Sequence, residues 1–166
     1  MNHFNPKLLL AAGAALLIAS PALASSTSAS ASATTKAQIV DPLTLTKNVD
    51  LDYGTLVRSA LAGPTTVTIS GADIVTCAPG LLCSGVTSAA HFTASGSPNQ
   101  LVKVSLVVSN LSNGFDTVAF IPSFAPTVTL NGSGSVSFAV GGDLAIDNVI
   151  SAGVYNGTMD VTVDYN

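Results

Sequence analysis

Gly153-Val-Tyr-Asn-Gly-Thr-Met-Asp-Val-Thr-Val-Asp-Tyr-Asn166 ends in an unbroken alternation of apolar and polar side chains. Met159, Val161, Val163 and Tyr165 face one way, and Thr158, Asp160, Thr162 and Asp164 the other. That is the two-residue period of a strand with one face on a core and one in water. Chain ends fray unless something ties them down, so a strand patterned this strongly is either the closing strand of a sheet or an edge offered to a partner. The functional reading turns on that alternative.

Working back from this strand, short β-rich runs recur at regular spacing: 38–46, 49–57, 65–70, 72–77, 90–95, 101–108, 117–120, 127–130, 135–140, 144–146 and 155–165. Turn chemistry falls between them. Gly63-Pro64, Ser97-Pro98-Asn99, Asn113-Gly114, Asn131-Gly132 and Gly141-Gly142 supply positive φ or a fixed proline φ where the chain must reverse. Gly54 is expected at a bulge or strand end, and Gly141-Gly142 in a tight turn. No run has the length or period of a substantial helix, and no repeat of fixed length is present. Glutamate is absent, Lys, Arg and Gln are scarce, and Val, Thr and Ser abound. The prediction is an all-β, mostly antiparallel, immunoglobulin-like β-sandwich.

The compartment is expected to be extracytoplasmic: periplasm, outer surface or medium. Residues 1–24 read as a signal peptide, with His3 and Lys7 near the start, an apolar stretch from Leu8 to Ile18, and Ala22-Leu23-Ala24 at the cleavage site. The apolar stretch is too short to span a bilayer, and an integral membrane protein is not expected. Residues 25–36 are a Ser/Ala/Thr-rich segment expected to be flexible, and residues 37–166 the folded domain. Removing residues 1–24 from the 166 leaves 142, enough for one domain. Its acidic side chains are nine aspartates, set against Lys36, Lys47, Arg58 and Lys103. Nucleic acid and anionic lipid both need clustered cations, so neither is an expected partner.

Cys77 and Cys83 are the only cysteines, and in an exported chain a disulfide is the default. Five intervening residues do not match a Cys-x-x-Cys redox motif, so the pair is read as a loop staple. His91 is read as a strand residue rather than a general base, since no Ser-His-Asp grouping is evident. Asp50 with Asp52, and Asp143 with Asp147, are candidate calcium carboxylates, but the Asp-x-Asp-x-Asp-Gly signature is missing and solvated turn carboxylates are the default. No cofactor, metal or enzymatic activity is expected.

Ile39-Val-Asp-Pro-Leu-Thr-Leu-Thr46, Asp50-Leu-Asp-Tyr-Gly54, His91-Phe-Thr-Ala-Ser-Gly96, Phe138-Ala-Val-Gly-Gly-Asp-Leu144 and the closing Gly153–Tyr165 segment resemble, in this order, the DUF4402 family of exported bacterial domains. That resemblance carries no catalytic residues. The closing strand also looks like that of chaperone–usher pilins and spore coat protein U-like domains, with Gly153 and penultimate Tyr165 at the matching places. The pilin resemblance implies an immunoglobulin-like sandwich missing a strand, which a periplasmic chaperone or the next subunit supplies by β-strand addition. Tyr155, Met159, Val161, Val163 and Tyr165 would carry the contact, with Gly153 letting the chain turn into it. A donor would draw on Ala37, Ile39 and Leu43, with Pro42 interrupting its ladder.

The functional expectation is therefore an exported, non-enzymatic structural or adhesive surface protein, a candidate pilin-like subunit whose partner is itself or a chaperone. The alternative is a self-contained extracytoplasmic binding domain holding a small ligand or calcium in its end loops.

Overall fold

The structure, a computed structural model, describes residues 28–58 and 63–166. The expected signal peptide lies outside the described residues. Residues 28–37 belong to a unit separate from Gln38–Asn166, and they are exposed without regular secondary structure.

Within the second unit the described chain is all strand and turn. In order the strands are β1 Thr44–Val49, β2 Thr55–Arg58, β3 Thr65–Ile69, β4 Val75–Cys77, β5 Leu81–Ser84, β6 Ala90–Ser95, β7 Leu101–Val108, β8 Leu111–Ser112, β9 Thr117–Phe124, β10 Thr127–Thr129, β11 Ser135–Ile146 and β12 Met159–Tyr165. Every pairing is antiparallel.

β11 organises the larger sheet. Its first half pairs β6, which pairs β1, while its second half pairs β3 on one edge and β9 on the other. The expected turn at Gly141-Gly142 is thus corrected: both glycines lie inside one continuous strand. Crowding is the reason. A Cβ on Gly141 would sit 2.0 Å from the Ile69 carbonyl oxygen, and one on Gly142 would sit 2.5 Å from the Ile121 carbonyl oxygen and 2.6 Å from the Phe120 ring. Strand glycines mark such close backbone approaches as readily as they mark turns.

A second sheet has the order β10-β7-β12, and β2 pairs β5 in a two-stranded ribbon. The chain from β9 to β10 passes from the larger sheet to the second one. Cys77 at the end of β4 is bonded to Cys83 in β5, so the expected disulfide forms and ties the ribbon to the edge of the larger sheet.

The core has two lobes, and β11 feeds both. Phe138 and Val140 join Ala90, Phe92, Ala94, Val102, Val104 and Leu130 between the β1-β6-β11 half of the larger sheet and the second sheet. Leu144 and Ile146 join Tyr53, Val67, Ile69, Leu81, Val118 and Phe120 at the other end. The Phe92 and Phe138 rings stack across the strands with centroids 5.6 Å apart. Tyr53 is buried, and its hydroxyl donates to the Gly142 carbonyl at 2.8 Å. Burial, reinforced by Asp143, pushes its phenol well above the usual range.

Other elements differ from expectation for local reasons. Residues 38–43 are not a strand: Pro42 has no N–H to give a ladder, and the Asp41 N–H donates to Ser97 Oγ instead. Asp52 makes a single bridge to Ser88, and Gly54 at φ +66° ends that extended run. Asp73 at φ +60° holds a turn where strand was expected over 72–74. Before β12, residues 155–158 contribute only the Asn156–Ser112 bridge.

Candidate functional site

The closing strand is an edge. β12 pairs β7 from Met159 opposite Val108 to Tyr165 opposite Val102, and among the described residues its other edge has no strand partner. β1 is likewise an edge, paired only with β6. These two free edges flank one flank of the core. Leu43, Leu45 and Leu51 from the β1 side, and Met159, Val161, Val163 and Tyr165 from β12, pack against the Phe92–Val102 lobe but remain only partly buried. These half-covered apolar side chains beside two unpaired edges form a partly exposed seam, a shallow channel, along the lobe.

The channel is closed at the Tyr165 end. The Tyr165 hydroxyl donates to the Asp41 carbonyl at 2.7 Å and accepts the Ser97 N–H at 2.8 Å. Ser97 Oγ in turn accepts the Asp41 N–H at 2.6 Å and lies 3.2 Å from the Asp41 carboxylate. A Cβ on Gly96 would lie 2.3 Å from the Tyr165 oxygen, so a larger residue there would displace the phenol from its seat.

At the Met159 end the surface is hollowed. A recess of about 380 Å³ between Lys47, Leu51, Phe92, Tyr155 and Met159 adjoins a cleft of about 1170 Å³, the two sharing Leu51, Tyr53, Leu111, Tyr155 and Asn156 as walls. The floor of the cleft is core: Val118, Leu144 and Ile146. Polar groups stand around it. Arg58 donates to the Asn148 carbonyl at 3.0 Å, the Tyr155 hydroxyl to the Ser151 carbonyl at 2.9 Å, and the Ser151 N–H to the Asp116 carboxylate at 2.8 Å. Hydrogen bonds from Ser151 hold the Asp116 carboxyl below the usual range, while loss of water and the Asp116 charge push the Tyr155 phenol upward.

A family model described as a domain of unknown function, DUF4402, matches residues 43–165. The chain belongs to the DUF4402 family. No curated protein and no solved structure matches it. The DUF4402 match runs from Leu43 on one lip of the channel to Tyr165 on the other. Asp41, which Tyr165 holds, lies just outside it.

The remaining sequence candidates are scattered over the DUF4402 domain. Asp50 pairs with Lys47 at 2.5 Å, Asp52 accepts the Gly54 N–H, Asp143 accepts Thr68 Oγ across β3 and β11, and Asp147 accepts the Val149 N–H. Among the described residues no three His, Cys or Asp side chains converge on a metal position. His91 Nε2 meets both Asp73 carboxylate oxygens, at 2.9 and 3.1 Å, fastening β6 to the β3–β4 turn. No serine hydroxyl is bonded to His91 among the described residues. Gly153 sits in the bend before β12 against Asn113, and its φ is not positive. Sequence reasoning missed the lip residues Leu45 and Leu51 and the Gly96–Ser97–Asp41 seat of the phenol. The alternation of Leu43 and Leu45 carries the signal for the first; nothing local carries the second.

Proposed function

We propose that this DUF4402 protein is an exported, non-enzymatic surface component of structural or adhesive role that assembles by β-strand addition into the open channel. The observation carrying this reading is the half-buried row Met159, Val161, Val163 and Tyr165 on a strand with a free edge, packed against the same core lobe as Leu43 and Leu45 beside a second free edge. An added strand would satisfy both ladders with main-chain hydrogen bonds and bury alternate side chains in the channel. In this reading the domain is an immunoglobulin-like sandwich lacking one strand, residues 1–24 direct export, residues 25–36 are a tether, and the partner is a second copy or a periplasmic chaperone. The Cys77–Cys83 bond supports an oxidising compartment.

A second reading is favoured by the end cleft, whose apolar floor and Arg58, Asn148 and Asn156 rim suit a small amphiphilic ligand. One experiment separates the two. Thermal unfolding and size-exclusion chromatography are run on the purified protein with and without a peptide of residues 36–47. A low-melting, self-associating protein that the peptide stabilises in a concentration-dependent way supports strand addition. A sharp-melting monomer indifferent to the peptide overturns it and directs the search to ligands of the cleft, calcium included.

A further inference from the structure

The end cleft and the recess beside it form one trough, because Leu51, Tyr53, Leu111, Tyr155 and Asn156 wall both. Its two ends differ in charge. Lys47, at the recess, is paired with Asp50. Arg58, exposed at the cleft, has no carboxylate within ion-pairing distance among the described residues, and its guanidinium donates to the Asn148 carbonyl. A guanidinium carries five donors in a planar fork, so Arg58 has capacity beyond that one bond. The carboxylates nearby are already engaged: Asp52, on the same wall, accepts the Gly54 N–H, and Asp116 accepts the N–H of the lining residue Ser151.

Between the two ends the lining is apolar, and part of the rim is as well. Leu56, Leu111, Val118, Leu144, Ile146 and Ile150 line the cleft. On its rim Val57 is 48 % exposed and Val154 78 %, and Val149, between the lining residues Asn148 and Ile150, is 80 % exposed. Large aliphatic side chains held in water around one opening mark a place where an apolar partner is received. An alkyl chain suits an elongated trough, since every methylene it buries adds the same increment of binding. The lone guanidinium selects the head. It pairs two-pronged with a carboxylate and balances its single charge, whereas a phosphomonoester, with nearly two charges, would be left partly uncompensated beside Asp52 and Asp116. We infer that the trough binds a single-chain alkyl carboxylate, its chain along the Leu144–Ile146 floor and its head on Arg58. The inference rests on the cleft reading of the function and adds the class of ligand.

The test is isothermal titration of the whole protein, its Cys77–Cys83 bond intact, with octanoate, decanoate and dodecanoate below their micelle concentrations. Glycerol monododecanoate, dodecyl phosphate and dodecyltrimethylammonium serve as comparisons. Binding is expected to tighten about fourfold per methylene along the carboxylate series. Dodecanoate should bind roughly tenfold more tightly than the glycerol ester, the margin of one charged hydrogen-bonded contact. Arg58→Gln, at an exposed position, should erase that margin and leave the ester unchanged. Ala152→Trp, which adds bulk to the cleft lining from an exposed loop position, should weaken every dodecyl ligand alike, and it serves if the arginine variant does not fold. Equal affinity for dodecanoate, its ester and the ammonium would overturn the inference, as would dodecyl phosphate binding more tightly than dodecanoate or a margin that Arg58→Gln does not move. Affinities untouched by Ala152→Trp would place the chain elsewhere on the molecule and overturn it too. Absence of binding by any of the alkyl ligands would remove the cleft reading itself.

Discussion

Single residues in this domain act mainly by holding backbone in place. Asp73 takes a left-handed turn conformation and uses one carboxylate to grip both the His91 ring and the Ala89 N–H. The His91 hydrogen bond, followed by that from Ala89, holds its carboxyl below the usual range. A carboxyl with a depressed folded pKa contributes stability that is complete above its unfolded value near ~4 and is lost as pH falls through the folded one. Asp73→Asn is therefore expected to lower Tm at pH 6, with the gap to the unmodified protein closing as the pH is taken down toward about 2; scanning calorimetry across that range checks it. A gap that persists in acid would assign the effect to the turn geometry instead. This pairing was not legible in the sequence, because His91 and Asp73 meet only through the register of β6 against the β3–β4 turn. The two cysteines were legible, since they are the only pair in the chain, six positions apart, and the leader-like start of the sequence made a bond between them the default.

Strands were legible where one face is buried and obscure where backbone crowding decides. β3, β6, β7 and β12 fall within the expected runs because alternation is imposed by burial on one face alone. β5 and β8 escaped notice: each is short, and β8 has no room for a period. β11 was divided at its glycines, although Val136, Phe138, Val140, Gly142, Leu144 and Ile146 keep one phase throughout. A change of direction would usually break that phase; its continuity was the usable signal. Gly141→Ala is expected to destabilise the domain by about 3 kcal/mol, lowering Tm by roughly 10 °C, since its Cβ would meet the Ile69 carbonyl and force β3 from β11. Denaturant unfolding measures this directly, and a loss below about 1 kcal/mol would mean that β3 yields more easily than its pairing implies.

At the scale of the molecule, β1 and β12 each end a sheet with no further strand partner among the described residues, and neither free edge could be read from local pattern. Alternation in β12 looks the same whether its outer edge is paired or bare, so sequence left the closed and open sandwiches undivided. The channel face and the outer face of the second sheet should behave differently. Val161→Asp is expected to abolish stabilisation by the 36–47 peptide at a cost of about 1–2 kcal/mol in the free protein. Val107→Thr, on the outer side of β7 and 72 % exposed, should leave the peptide response unchanged. Isothermal titration compares the two, and equal responses would place the peptide elsewhere. The late position of β11 also sets a timetable. β3, β6 and β9 all pair with residues 135–146, so a chain emerging from its first residue onward holds three strands with unsatisfied edges until most of its length has appeared. Such long-range closure is slow and leaves β edges exposed to aggregation. The larger sheet therefore cannot close before residues 135–146 are present, and its assembly waits on a segment near the far end of the chain.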